Sequence, residues 1–256
     1  YEAGRAQARM GDMSYIISAK LNDISGSADY TADIPAVRCL AAMDELRLDN
    51  AVTYFVGENG TGKSTLLEAI AVKYGFNAEG GSLNFSFSTR ATHSALHNEL
   101  KLIKGIERPR TGFFLRSESF YNAATYIEEA DGGSGKVLAG YGGISLHEQS
   151  HGESFFSLVM NRFRGRGLYI LDEPEAALSP SRQMSLLIRM NELVKQGSQF
   201  IIVTHSPIVL AYPDSLIYQF NEYGIEATDY KDTETYSVMK TFMDSPERML
   251  RNLFEE

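Results

Sequence analysis

One cysteine, Cys39, stands in a chain of 256 residues, which excludes an internal disulfide and a cysteine-based metal cluster. Cys39 reads as an ordinary buried thiol, at home in a reducing compartment. Long apolar runs are also missing. None approaches the ~18 residues of a membrane-crossing helix and no secretory leader is recognisable, so a soluble, cytoplasmic protein is expected. Heptads sustained over several turns are absent, which excludes a long coiled coil. Positive charge is the minority sign: 24 Lys and Arg stand against 33 Asp and Glu, a net charge of −9. Broad non-specific binding to nucleic acid is therefore not advertised.

Hydrophobic residues make up 43% of the chain, enough for a sizeable core in one α/β domain or a domain with an inserted lobe. Residues 1–12 are small and polar without any period. They stay outside the fold argument as a disordered or expression-derived tail, leaving 13–256 as a single domain.

The most specific pattern lies at Gly57, Glu58, Asn59, Gly60, Thr61, Gly62, Lys63, Ser64 and Thr65, which fills G-x-x-x-x-G-K-[ST]. An apolar run, 51–56, precedes it and an apolar-periodic stretch, 66–71, follows. Strand, glycine-rich turn and helix start are the context this pattern requires. The glycines permit torsions that let successive N–H groups converge on phosphate oxygens. Lys63 neutralises the β and γ phosphates, Ser64 offers its hydroxyl to Mg²⁺, and the helix from about Thr65 points its positive end at the anion.

Further along, 16–19 reads as a first strand, 83–87 as a turn-flanked strand, 93–103 as a helix and 113–115 as a strand. Glycine-rich 130–143 reads as a loop. The run 167–171 is a buried parallel strand ending on Asp172, Glu173 and Pro174. Residues 181–195 are helical, and 200–204 form the next buried strand, so a right-handed parallel crossover is expected. Closing strands at 217–220 and 224–228 precede helical 236–254 around Pro246.

Two carboxylates at the end of a buried strand are costly unless a cation neutralises them, and Mg²⁺ on a nucleotide does so. Asp172 is assigned to the metal and Glu173 to polarising the water that attacks the γ-phosphate. The bland alternative is a helix cap with Pro174 in the first turn. His205 closes the strand 200–204, at the carboxyl edge where a polar residue faces the ligand crevice, and reads as a γ-phosphate sensor. Arg162, Arg164 and Arg166 form a basic cluster, first a solvated face and second a contact for nucleotide or a partner.

The segment from His147 to Ser154 supports two readings. His147, Glu148 and His151 satisfy H-E-x-x-H, a zinc-hydrolase pattern when helical. Ser150, His151, Gly152 and Glu153 also approach a Ser-Gly-Gly-Gln/Glu signature, where a serine hydroxyl and helix-start amides meet a γ-phosphate. The intervals from Ser150 to Asp172 and from Asp172 to His205 resemble those of the ATP-binding-cassette family, which favours the second reading, and zinc would stand unexplained beside a complete phosphate site.

Assembled, these residues resemble the ATP-binding-cassette ATPases, in particular the stand-alone, SMC/RecF-like AAA-family ATP-binding proteins of bacteria, over roughly 35–253. Gly57 to Thr65 looks like Walker A, Ser150 to Glu153 the signature, Leu168 to Glu173 Walker B, Ala176 to Ser179 the D-loop and His205 the switch histidine. Two departures stand out. His151 occupies the usual first signature glycine, and the Q-loop region holds Arg116, Ser117, Glu118 and Ser119 with no Gln. Tyr30 is the candidate to stack on adenine, though an ordinary tyrosine there is the simpler reading. ATP as the base rests on the resemblance and on the absence of N-K-x-D.

The resemblance implies a P-loop NTPase with a mostly parallel sheet flanked by helices, a small helical lobe at 93–150 and an antiparallel edge subdomain. It implies ATP and Mg²⁺ as ligands and a homodimer formed head to tail on ATP, with Ser150, Gly152 and Glu153 acting in trans. The stretch from Lys63 to Ser150 is far too short for long coiled-coil arms. A protein effector or nucleic acid is the expected partner and a membrane partner is not, the alternative being the ATPase subunit of a transporter.

Overall fold

A computed structural model describes residues 14–21, 34–83, 94–116, 151–176 and 178–254. Its centre is a seven-stranded sheet in the order β10-β9-β3-β8-β7-β6-β4. Five strands run parallel: β9 (Leu216–Phe220), β3 (Val52–Gly57), β8 (Gln199–Val203), β7 (Gly167–Asp172) and β6 (Thr111–Leu115). Antiparallel β10 (Ile225–Thr228) and β4 (Gly81–Ser82) close its two edges.

The central strands are buried on both faces, as their unbroken apolar runs require. Phe55, Leu168, Ile170, Ile201 and Val203 point into one core, and Tyr54, Val56, Tyr169, Leu171, Phe200 and Ile202 into the other. This alternation is the period of two that a pleated strand imposes on its side chains. Helices α1 (Pro35–Ala41) and α2 (Lys63–Tyr74) cover the first face with Leu40, Leu66 and Ile70. The second face is covered by α4 (His151–Arg162) and α5 (Pro180–Lys195) through Phe155, Leu158, Leu186 and Met190. A four-residue helix, α3, spans Leu96–Glu99. After β8 come α6 (Pro207–Leu210), α7 (Glu234–Asp244) and α8 (Pro246–Phe254).

The crossover from β7 through α5 to β8 is parallel, with Leu171 opposite Ile202, as the sequence implies. Ser179 starts α5 by accepting the amide of Arg182, and Pro180 occupies the first turn, where its missing N–H costs nothing. No helix begins at Pro174: residues 174–176 form a turn, so the cap reading of the acidic pair does not hold.

An antiparallel sheet, β2 (Leu46–Arg47), β1 (Ile16–Leu21) and β5 (Leu100–Lys104), flanks the main one and supplies the expected antiparallel subdomain. Gln199 fastens it. Its Oε1 accepts the amides of Tyr15 and Ile16, both at 2.9 Å, while Nε2 donates to the carbonyls of Ile16 at 2.8 Å and Leu48 at 2.5 Å. A buried amide is tolerated here because its donors and acceptor all find partners.

The helix expected at 93–103 is corrected. Only Leu96–Glu99 is helical, and Leu100–Lys104 is a strand paired with β1. Leu100 faces the core and Lys101 the solvent, so pairing with a distant strand overrides the local helical spacing. The described part of the lobe expected at 93–150 therefore contributes α3, β5 and β6. Tyr30, Glu118, His147, Glu148, Ser150, the strand at 84–87 and the loop at 130–143 lie outside the described residues, as do residues 1–12.

Candidate functional site

The carboxyl ends of β3, β7 and β8 meet on one edge of the sheet, the position where open α/β sheets bind ligands. From β3 the chain enters the glycine-rich turn at Gly57, whose φ is +133°. A Cβ there would lie 2.1 Å from the carbonyl oxygen of Phe220 on β9, so the turn is possible only with glycine. Gly62, at φ +93°, precedes α2, and a Cβ on it would meet Ile34 Cγ2 at 2.3 Å. The turn is tied to α1 by the amide of Ala36, which donates to Thr61 O at 2.9 Å. The first amides of α2 have no partner further back in the helix and carry the positive end of its dipole.

Lys63 is buried, and its Nζ donates to the carbonyls of Gly57 at 2.8 Å and Glu58 at 2.6 Å, with Thr61 Oγ1 at 3.4 Å. Burial lowers its pKa, and the carboxylates of Glu173, Asp172 and Glu58 pull the other way. One residue on, Ser64 Oγ donates to Asp172 Oδ1 at 2.9 Å.

Glu173 leaves β7 with a φ of +46°, a left-handed conformation that costs a side-chain-bearing residue on the order of 1–3 kcal/mol. Its amide donates to Val203 O at 2.9 Å, which holds this turn against β8. The carboxylate then faces His205, with Oε1 3.7 Å from Nε2. That Nε2 is buried and makes no hydrogen bond.

Two cavities open on this edge. One of about 220 Å³ is lined by Ile34, Asn59, Gly60, Lys63, Ser64 and Glu173 among others. The second, about 590 Å³, lies on the other side of Asn59, between His205, Glu58 and the Glu234, Val238 and Met239 face of α7. The residues fit a nucleoside triphosphate with a divalent cation. The cradle has no room for side chains at Gly57 and Gly62, a buried cation stands in it, and an imidazole nitrogen lacks a partner at its rim. Among the described residues no three His, Cys, Asp or Glu gather to hold a metal by themselves. Ser64 and Asp172 are hard oxygen donors of the kind that share Mg²⁺ with phosphate and water.

Lys63, Ser64, Asp172, Glu173 and His205 are thus brought together, with Asn59, Gly60, Gly62 and Thr65 around the smaller cavity. Of the signature residues, Glu153 is not part of this cluster. Glu153 pairs with Arg182 Nη2 at 3.5 Å and lines neither cavity, and Gly152 lies in the first turn of α4. The basic cluster is remote from the phosphate loop. Arg166 directly precedes the amino end of β7 and pairs with Glu107 at 3.8 Å, while the acidic pair stands at the carboxyl end, about 20 Å along the strand.

Sequence reasoning missed Ile34 and Glu175. The first is signalled only by standing before Pro35; the second is one more acidic residue after Asp172 and Glu173.

Comparisons with known proteins show what the chain is similar to. Residues 138–211 match the family model described as "AAA domain, putative AbiEii toxin, Type IV TA system". The chain is 25% identical over 226 residues to the L-arabinose transport ATP-binding protein AraG of Geobacillus stearothermophilus, covering 80% of this chain and 43% of that one. It is 28% identical over 174 residues to the ribose import ATP-binding protein RbsA of Bacillus cereus, covering 59% and 33%. The chain spans about a third to under half the length of these curated relatives. Among solved structures it is similar to the SMC head domain from Thermotoga maritima, at 18% identity and TM-score 0.38 over 72% of this chain and 93% of that one. The strand order of the chain itself defines the fold. The chain has a mostly parallel α/β fold with a phosphate-loop sequence, and is similar in sequence to ATP-binding proteins of transport systems. The expectation that a membrane partner is improbable finds no support, because the named relatives are transport and import ATP-binding proteins. No helix among the described residues is long and apolar enough to cross a membrane.

Proposed function

We propose that this chain binds ATP with Mg²⁺ at Gly57–Thr65, hydrolyses it to ADP and phosphate, and does so as a head-to-tail pair whose formation switches a partner. The observation that carries the reading is the convergence of Lys63, the Ser64–Asp172 pair, Glu173 and His205 on one sheet edge.

The turn's amides and those opening α2 bind the phosphates, and Gly57, Asn59, Gly60, Thr61, Gly62 and Thr65 shape that cradle. Lys63 moves its ammonium from the carbonyls of Gly57 and Glu58 to the β and γ phosphates. Ser64 and Asp172 hold Mg²⁺, which supplies neutralising charge on the phosphate oxygens when bound. Glu173 orients a water and takes its proton as the water oxygen attacks γ-phosphorus and the bond to the ADP oxygen breaks. His205 donates from Nε2 to a γ-phosphate oxygen. Ser150, Gly152 and Glu153 of a second copy complete the site, in keeping with Glu153 lining neither cavity of its own chain.

A cytoplasmic switch acting on a protein effector or a nucleic-acid-linked process is the reading of the whole, with 13–256 as one domain. The names of the sequence relatives favour a second, the ATPase subunit of a membrane transporter. Co-purification with a polytopic membrane protein would establish that one; salt-dependent DNA binding stimulated by ATP would establish the first. Hydrolysis itself is tested by Glu173→Gln, which should lower kcat about 100-fold or more while ATP still binds. An unchanged rate would contradict the assignment of Glu173.

A further inference from the structure

Glu175 is the acidic residue of this edge that the chemistry above does not use. Its Oε1 accepts two consecutive amides, that of His205 at 2.6 Å and that of Ser206 at 3.1 Å. Its Oε2 is buried and has no hydrogen-bond partner. A second link runs beside it. Ser206 Oγ donates to Gln183 Oε1 at 2.6 Å, and Gln183 Nε2 donates to Leu178 O at 3.0 Å. The turn that carries His205 is therefore fastened twice to the segment between Glu173 and α5.

These contacts have a direction. The amide of residue 205 lies one bond from its Cα, so holding that amide holds the point from which the imidazole reaches toward Glu173. A carboxylate accepting two backbone N–H groups makes charge-assisted bonds, stronger than neutral ones. A loop staple alone could be made by a serine or asparagine without burying an unpartnered carboxylate oxygen, which is costly.

We infer that Glu175 is a positioning residue that holds the turn of His205 in register with Glu173. This rests on the ATPase reading for its consequence, though not for its geometry.

The test uses Glu175→Ala, Glu175→Gln and Glu175→Asp in the full chain, with two measurements. Hydrogen exchange at the amides of His205 and Ser206 should quicken about tenfold or more in the Ala variant and stay near wild type in Gln, which keeps an acceptor in place. In ATP hydrolysis the Ala variant should lose about tenfold in kcat at an unchanged KM, and Asp, whose carboxylate is withdrawn by one methylene, should lose comparably. Gln should recover most of the rate. In a His205→Ala background, Glu175→Ala should cause no further loss beyond about twofold. Wild-type exchange at both amides in the Ala variant overturns the inference, and so does a full additive loss on top of His205→Ala. If the wild-type chain hydrolyses no ATP, the ATPase reading fails and the exchange measurement still decides the geometry.

Discussion

Ser64 Oγ donates to Asp172 Oδ1 at 2.9 Å, joining the start of α2 to the end of β7 across the width of β8. The two residues are far apart in sequence, and the strand order alone brings them together. An oxygen pair at that separation, near a buried lysine, would supply part of the octahedral oxygen shell of Mg²⁺, with phosphate oxygens and water giving the rest. Removing either partner should therefore affect the metal more than the nucleotide. Ser64→Ala and Asp172→Asn are each expected to raise the Mg²⁺ concentration for half-maximal hydrolysis about tenfold or more. Metal-free binding of a fluorescent ATP analogue should change little, and titrations with and without Mg²⁺ check both.

Gly62→Ala tests the cradle. The substitution forces a Cβ to within 2.3 Å of Ile34 Cγ2 at a φ of +93°, so the turn must open or Ile34 must move. Nucleotide affinity should fall at least about tenfold with the far-ultraviolet spectrum of the folded chain retained, as read by analogue titration beside circular dichroism.

Stability toward alkali should follow buried tyrosines. Burial raises Tyr169 from 10.0 to about 12, and its hydroxyl both donates to Arg164 O and accepts from Arg164 N at 2.6 Å. Its folded pKa lies above the unfolded value, so the folded state holds the proton longer. Stability is full below pH 10 and declines as pH rises from 10 toward 12, by about 2–3 kcal/mol for this group. Urea unfolding at pH 8, 9.5 and 11 should show the decline, and Tyr169→Phe should make it shallower while lowering stability at pH 8.

Gln199→Leu should separate the two sheets energetically. It leaves the amides of Tyr15 and Ile16 and the carbonyls of Ile16 and Leu48 without their partner. The expected cost is about 2–4 kcal/mol in chemical denaturation, with the phosphate loop's affinity for nucleotide nearly unchanged in the folded fraction.

What could be read from the sequence followed the strength of local signals. Strands β3, β7 and β8 are continuous apolar runs, and the glycines and Lys63 stand in a contiguous pattern, so the phosphate loop and the acidic pair were legible together. Strand β5 was not, because Leu100–Lys104 becomes a strand through pairing with β1, far away in the chain. Glu175 escaped notice for a related reason. Nothing beside it in sequence tells that its carboxylate reaches the amides of residues 205 and 206. The left-handed turn at Glu173 was likewise invisible, since a glutamate gives no sign of a positive φ. The small helix before the loop, which brings Ile34 against Gly62, has only Pro35 to announce it.

The most direct test of the central claim is the association state of Glu173→Gln, measured by size-exclusion chromatography with light scattering. With ATP and Mg²⁺ the variant should elute as a dimer, and with ADP or no nucleotide as a monomer, because the phosphate edge then lacks the γ-phosphate that a second copy would clasp. A variant that stays in one association state with and without ATP, or that hydrolyses ATP as fast as the wild type, contradicts the account.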